Sequence, residues 1–257
     1  MDIRVRGTGP TDPFLGAASL LETEHDLALP VDVEIREHPD ERTLAAHYDD
    51  RHVLKISRKA ATSAMARELA LHEFAHMVRY ENDHPSHTQS TDEALFLALA
   101  GQSVERRKVT HCYQIANHMK DIYADDITLS VAPASKLVTF FESQLATALA
   151  DRSGYTPSHG TDADTAETDP DISVVNAAFA LAMVERHDLA DDDHRIYELA
   201  DALAGEAPGV DLDLFRERFA SLAAEPSESD YRKELVDVTR AYAAESAAAG
   251  PGEPAAD

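Results

Sequence analysis

His72-Glu73-Phe74-Ala75-His76 constrains this chain more than any other stretch, because it sets two imidazoles four residues apart inside a run that reads as helix from Ser63 to about Tyr80. Met65, Leu69, Phe74 and Val78 are among its apolar positions and it contains no Gly or Pro, the pattern of an amphipathic helix with one face in a core. At about 3.6 residues per turn, His72 and His76 share a face and can offer two nitrogens to one ion at about 2.0–2.1 Å. Glu73 is rotated by about 100° from His72, so it flanks such an ion without ligating it. A carboxylate there can take a proton from zinc-bound water and pass it to a leaving amine.

The residues upstream read as strands. Val31-Asp32-Val33-Glu34-Ile35 alternates apolar and polar side chains, as a half-buried strand does. Leu44 to Tyr48 and Val53 to Ile56 flank Asp49-Asp50-Arg51, which reads as a hairpin turn. Strands, a hairpin and then a helix bearing His-Glu-x-x-His together resemble the zincin metallopeptidases. The resemblance covers roughly the first half of the chain, and its specific part is the five-residue motif. It implies an α+β fold, mostly α, with a small N-terminal antiparallel-type sheet and hairpin ahead of the motif helix, and a helical bundle after it. It also implies a Zn²⁺ cofactor, Glu73 as the catalytic base and a peptide or protein substrate. In that family the strand just before the motif helix is an edge that pairs with extended substrate, which here points to His52 to Ser57.

A catalytic zinc takes three protein ligands and keeps one position open. The Gly and His of a metzincin would fall at positions 79 and 82, which hold Arg79 and Asn82. His84 and His87 flank Pro85 and read as a polar connecting loop. Ser90-Thr91-Asp92-Glu93 reads as a capping box opening the run Ala94 to Ala100, with Gly101 closing it, which accounts for Glu93 without a metal. Glu105 lies beside Arg106, Arg107 and Lys108, where surface ion pairing suffices.

The next helix, about Thr110 to Thr128, puts His111, Gln114, His118, Asp121 and Asp125 on one stripe, with Ile115, Met119 and Ile122 opposite. That stripe is either a solvated polar face or a set of ligands with their hydrogen-bonding partners, and its lack of Lys and Arg speaks for the second. Asp121-x-x-x-Asp125 resembles the Glu-x-x-x-Asp of gluzincins, in which the first acid ligates zinc and the second orients a motif histidine. The resemblance implies Asp121 as third ligand and Asp125 as orienting partner, or the two exchanged. Asp in place of Glu shortens the reach by one methylene, as in the Asp-ligated zincins. His118, Tyr113 and Tyr123 are the side chains available to stabilise an oxyanion, or are simply packed.

The chain has 23 Lys and Arg against 48 Asp and Glu, a formal net charge of −25 over 257 residues, which disfavours nucleic acid and anionic membrane as partners. Hydrophobic residues make up 44%, enough for most of the chain to fold rather than stay disordered. Lys occurs only at positions 55, 59, 108, 120, 136 and 233, and Trp is absent; this acidic, Lys-poor composition resembles that of haloarchaeal proteins. The lone cysteine, Cys112, excludes an internal disulfide and suits a reducing compartment. Met1 to Arg6 is strand-like and polar, unlike a signal peptide, and the longest apolar run, Val174 to Val184, is too short to span a bilayer, so a cytoplasmic protein is expected.

The organisation read from the sequence is a zincin-like domain over 1–151, an acidic linker or loop over 152–171, a helical subdomain over 172–248 and a disordered tail over 249–257. Its helices are expected at Ala134–Asp151, Ile172–Arg186, Asp191–Ala204, Leu212–Ala223 and Ser229–Ala247. His187 and His194 fall in or near a turn among acids and read as solvated surface. Two functional classes stand: a zinc peptidase, and a zinc-binding module of the same fold that holds a peptide or partner without turnover. Oligomeric state and substrate identity leave no mark on the sequence.

Salt tests the composition. Carboxylate self-repulsion is screened when the Debye length shrinks to about 3 Å at 1 M. Helical circular dichroism should therefore be stable in multimolar KCl and be lost on dialysis into dilute buffer; full retention in dilute buffer would show an acidic protein without salt dependence.

Overall fold

Asp12-Pro13 starts a helix readily, because the proline lacks an N–H only where a helix has no partner to give it. That helix, α1 (Asp12–Leu21), carries the chain from β1 (Ile3–Arg6) across to β2 (Val31–Arg36), which runs in the same direction. Parallel pairing needs such a crossover. The chain then makes a hairpin of β3 (Leu44–Tyr48) and β4 (Arg51–Ser57), with β4 inserted parallel to β2. The sheet order is β1-β2-β4-β3.

Two expectations are corrected by this topology. The sheet is mixed rather than antiparallel, since only β3 and β4 pair antiparallel. The hairpin is a local signal, whereas the parallel pairing of β1 with β2 depends on α1, which the sequence does not single out, and that of β2 with β4 on the chain passing first to β3. The strand before the motif helix is also not an edge. β4 is hydrogen-bonded to β2 on one side and to β3 on the other, so His52 to Ser57 has no free backbone edge, and the edge beside it is β3.

A computed structural model of the chain describes residues 1–39, 41–153 and 169–248. These residues form two compact units. The first comprises Met1–Gln89 and Lys120–Pro133, and the second Ser90–Met119 with the described residues from Ala134 onward. In the first unit the short α2 (Arg58–Ala61), begun by the Ser57 hydroxyl accepting from the Ala60 N–H, leads into α3 (Ala66–Glu81), the motif helix. Leu71, Phe74, Met77 and Val78 of α3 are buried in one core with Phe14 and Leu21 of α1, Val31, Val33 and Ile35 of β2, and Leu54 and Ile56 of β4. Ala124 and Ile127 join that core from the last turns of α6 (Arg106–Val131).

The end of α3 decides what lies next to it. Asp83 adopts a left-handed φ of 51°, its N–H bonds the Tyr80 carbonyl at 3.1 Å, and the His84 N–H bonds the Arg79 carbonyl at 2.9 Å. These are the paired bonds of a Schellman cap, which reverses the chain and brings α4 (Pro85–Thr88) back along α3. His84 is 4% exposed and Ser86 is fully buried, so the segment read as a polar connecting loop is interior structure.

The second unit is helical: α5 (Thr91–Leu99), the first part of α6, α7 (Ser135–Ser153), α8 (Pro170–Arg186), α9 (Arg195–Glu206), α10 (Leu212–Ala220) and α11 (Glu228–Ala248). The Ser90 hydroxyl accepts from the Glu93 N–H at 3.2 Å, so Glu93 is the third residue of a cap, as its spacing indicates. Val174 to Val184 is buried on every side apart from Asn176, which makes α8 the central helix of this bundle. Residues 90–119 and 134–151, assigned by the sequence to a first domain ending at 151, group instead with this bundle. Most of the expected linker, 154–168, and the tail, 249–257, lie outside the described residues. The protein is α+β and mostly α, and among the described residues no helix is long and apolar enough to cross a membrane.

A left-handed residue with a side chain costs about 1–2 kcal/mol, less for Asp, whereas glycine takes that conformation freely. Asp83→Gly should raise the thermal midpoint slightly and Asp83→Val should lower stability by about 1–2 kcal/mol; equal midpoints for the two would show that the cap does not hold α4 in place.

Candidate metal centre

Two residues along a helix turn it by about 200°, so Phe74 lies nearly opposite both His72 and His76. Burying Phe74 in the core therefore sends both imidazoles to the other side of α3, where the end of α6 presents Asp121 and Asp125, also four apart. The pairs meet in reverse order, His72 with Asp125 and His76 with Asp121, so the two helices run in opposite directions here.

His72 Nε2, His76 Nε2 and Asp121 Oδ1 converge. The two nitrogens are 3.0 Å apart, His76 Nε2 is 3.3 Å from the carboxylate oxygen and His72 Nε2 is 3.7 Å from it. A tetrahedral ion with ligand bonds of about 2.0–2.1 Å holds its ligand atoms about 3.3 Å apart. The observed triangle matches that spacing on average. All three side chains are partly exposed, and among the described residues no fourth His, Cys, Asp or Glu completes the group.

The ring nitrogens facing away from this triangle are both engaged. His72 Nδ1–H donates to Asp125 Oδ1 at 2.7 Å, and His76 Nδ1 lies 2.7 Å from His87 Nε2. Asp125 stands behind His72 and outside the group of three. A carboxylate accepts only, so His72 must carry a proton on Nδ1, which leaves Nε2, facing Asp121, as the nitrogen that holds either a second proton or an ion. Burial disfavours a second proton on His72, but Asp125 and Asp121 outweigh it and hold this pKa well above the ordinary imidazole value. Excess acceptor capacity of that kind is the electrostatic character of a cation site. His87 has the opposite character: burial, with His76 and Lys120 nearby, lowers its pKa to about 2, so its ring is neutral.

The other residues of the α6 stripe are not a solvated face. His111 is fully buried and bonds the Tyr242 hydroxyl, while Gln114 and His118 both bond Asn176 Oδ1 at 2.8 Å, all within the second unit. Tyr113 donates to Asp92, also within that unit, and Tyr123 is fully buried beneath the His84 ring in the first. Cys112 is buried, and burial raises its thiol pKa to about 11, which leaves it an inert thiol. His194 caps α9, its Nδ1 facing the Ile196 N–H, and His187 ends α8.

Sequence reasoning missed a brace at the far end of α3. Glu81 accepts from the Ala28 and Leu29 N–H groups at 2.7 and 2.8 Å, and from His52 Nε2 at 3.0 Å. His52 Nδ1 lies 3.0 Å from His47 Nδ1, directly across the hairpin, and His47 stacks on Tyr80 at 4.1 Å. Because Glu81 fixes the proton of His52 on Nε2, His52 Nδ1 accepts and His47 Nδ1–H donates. The brace ties the last turn of α3 to β3, to β4 and to the loop before β2, and so fixes where His76 stands. Its members are scattered over residues 28 to 81, and no local pattern joins them.

Burial, reinforced by His52, lowers the His47 pKa to about 4, against about 6.5 in an unfolded chain. Between those values the unfolded state takes up a proton that the folded state refuses, so stability falls as pH drops from about 6.5 toward 4. His47→Gln should flatten this part of a plot of unfolding midpoint against pH, and an unchanged slope would show that His47 is not a source of it.

No curated protein matches the chain, and no solved structure does. One family model, described as a family of unknown function (DUF5781), matches residues 1–244, which include all of the triangle, its orienting partners and both units up to the last turn of α11. The chain belongs to that family of unknown function, DUF5781.

Proposed function

We propose that the first unit is a zinc-dependent, zincin-type peptidase site, with His72, His76 and Asp121 as ligands and Glu73 as general base. The observation that carries this reading is the triangle of three ligand atoms at tetrahedral spacing, with His72 held by Asp125 so that its Nε2 faces inward. Two imidazoles and a carboxylate are a donor set suited to zinc, and three donors rather than four leave a position for a reactant, as catalytic rather than structural zinc requires. When bound, zinc acidifies water and polarises a carbonyl.

The chain's own residues supply the remaining steps. Glu73, half-buried and one residue after the first ligand, takes the proton of the attacking water and returns it to the leaving amine. The order of the sheet also supports the reading, because its one antiparallel strand, β3, is an edge and packs against the motif helix. An extended peptide added to β3 would be held by backbone hydrogen bonds alongside α3, which moves the expected cleft strand from His52–Ser57 to Leu44–Tyr48. Leu44 and Tyr48 are exposed on that strand, and Ala45 packs against the core.

The test is metal content and casein cleavage in multimolar salt, for wild type, His76→Ala, Asp121→Ala and Glu73→Gln. Expected are about one zinc per chain in wild type and Glu73→Gln, little in the other two, and cleavage lowered by about 10²–10⁴-fold in Glu73→Gln. Zinc held firmly by a protein that cleaves nothing would make this a zinc-binding module, and folded wild type that takes up no zinc would overturn the reading.

A further inference from the structure

His76 lacks the carboxylate that stands behind His72, and what replaces it is a chain of neutral groups in the Schellman-capped turn after α3. His76 Nδ1 is 2.7 Å from His87 Nε2, His87 Nδ1 is 2.7 Å from Ser86 Oγ, and Ser86 Oγ is 2.7 Å from His84 Nδ1. The polarity of this chain follows from its far end. The Ser86 backbone N–H, 3.3 Å from His84 Nδ1, can only donate, so His84 Nδ1 is an acceptor. The Ser86 hydroxyl must then donate to that same nitrogen and accept from His87 Nδ1–H. His87 therefore carries a proton on Nδ1 and turns Nε2 to His76. Its Nε2 is left with a lone pair, which takes the Nδ1–H of His76. The last consequence is at the triangle: His76 carries a proton on Nδ1, so Nε2, 3.0 Å from His72 Nε2 and 3.3 Å from Asp121 Oδ1, is the nitrogen left to hold an ion, as in the tautomer that a metal needs.

We infer that His87 is a positioning residue for the candidate metal centre, holding His76 in its metal-binding tautomer through a one-way hydrogen-bond chain that starts at the Ser86 backbone N–H. The inference rests on the reading of His72, His76 and Asp121 as a metal site. Ser86 is fully buried and His84 nearly so, so water cannot substitute for a missing member of the chain at low cost. The centre is therefore asymmetric, with one imidazole backed by a charged acceptor and the other by a neutral one. Partners of this kind change metal affinity by about 10–100-fold when removed.

The experiment compares wild type, His87→Leu, His87→Gln and His87→Glu in multimolar salt. Zn²⁺ affinity is read by competition with a chelator, the visible absorption of the Co²⁺-loaded proteins reports ligand geometry, and unfolding of the ion-free proteins reports stability. His87→Leu fills space but accepts nothing, and should weaken Zn²⁺ binding about 10–100-fold and alter the Co²⁺ spectrum. In His87→Gln the amide oxygen can accept from His76, and affinity should stay within a few-fold of wild type, in line with about the smallest effects of such partners. His87→Glu supplies a stronger acceptor and should bind Zn²⁺ more tightly than wild type even where the ion-free protein is less stable. Should His87→Leu fail to fold, the order of glutamate, wild type and glutamine still decides. Affinities that ignore acceptor strength would overturn the role of His87 while leaving the metal site standing, whereas wild type that binds neither ion would remove the site itself and this inference with it.

Discussion

Phe74 sits in the middle of the His-Glu-x-x-His motif and is fully buried, and the arrangement of the first unit follows from that burial. With Leu71, Met77 and Val78 it commits one face of α3 to the β-sheet, so the helix cannot rotate without exposing a core residue worth about 1.5–3 kcal/mol of transfer free energy. The two imidazoles are consequently turned to the opposite side, and their direction is a product of apolar packing. The brace from Glu81 through His52 to His47 fixes the remaining freedom, the position of the helix along the sheet.

Polar groups around α3 are arranged so that each one limits its neighbour. Asp125 can only accept, Glu81 can only accept and the Ser86 backbone N–H can only donate; from these three fixed ends the protons of His72, His52, His47, His84, His87 and His76 are assigned in turn. Six histidines in one unit would otherwise have many tautomeric states. A buried network whose donors and acceptors are fixed from its ends favours a single geometry. The excess acidity of the chain is used here locally: carboxylates stand where an imidazole or a pair of backbone N–H groups needs a partner, and Lys is rare throughout.

α6 shows how one helix face can serve two cores. His111, Gln114 and His118 bond residues of α8 and α11 in the second unit, and Asp121 and Asp125 bond residues of α3 in the first. A polar stripe at steps of three and four is usually solvated, but here its members donate or accept hydrogen bonds in buried or part-buried surroundings. The chain folds as two units between which it passes three times, and compositional breaks such as that after residue 151 mark only changes in local polarity.

Sequence alone determined the elements whose cause is local: the motif helix from its period, the β3–β4 hairpin from its turn, the Ser90 cap from its spacing, and the pairing of Asp121 and Asp125 on one face of α6. It left open which acid addresses which histidine, because four-residue spacing on both helices allows either order until their relative direction is set. Tertiary structure decided what depends on partners distant in the chain. Parallel pairing of β1 with β2 requires α1 to cross over the sheet; β3 becomes the edge only because β4 inserts beside β2; and His84 and His87 become interior groups only because Asp83 reverses the chain at the end of α3. Local periodicity reports which face of an element is apolar, but it carries no information on which other segment will cover that face, and that choice is made by the folded chain as a whole.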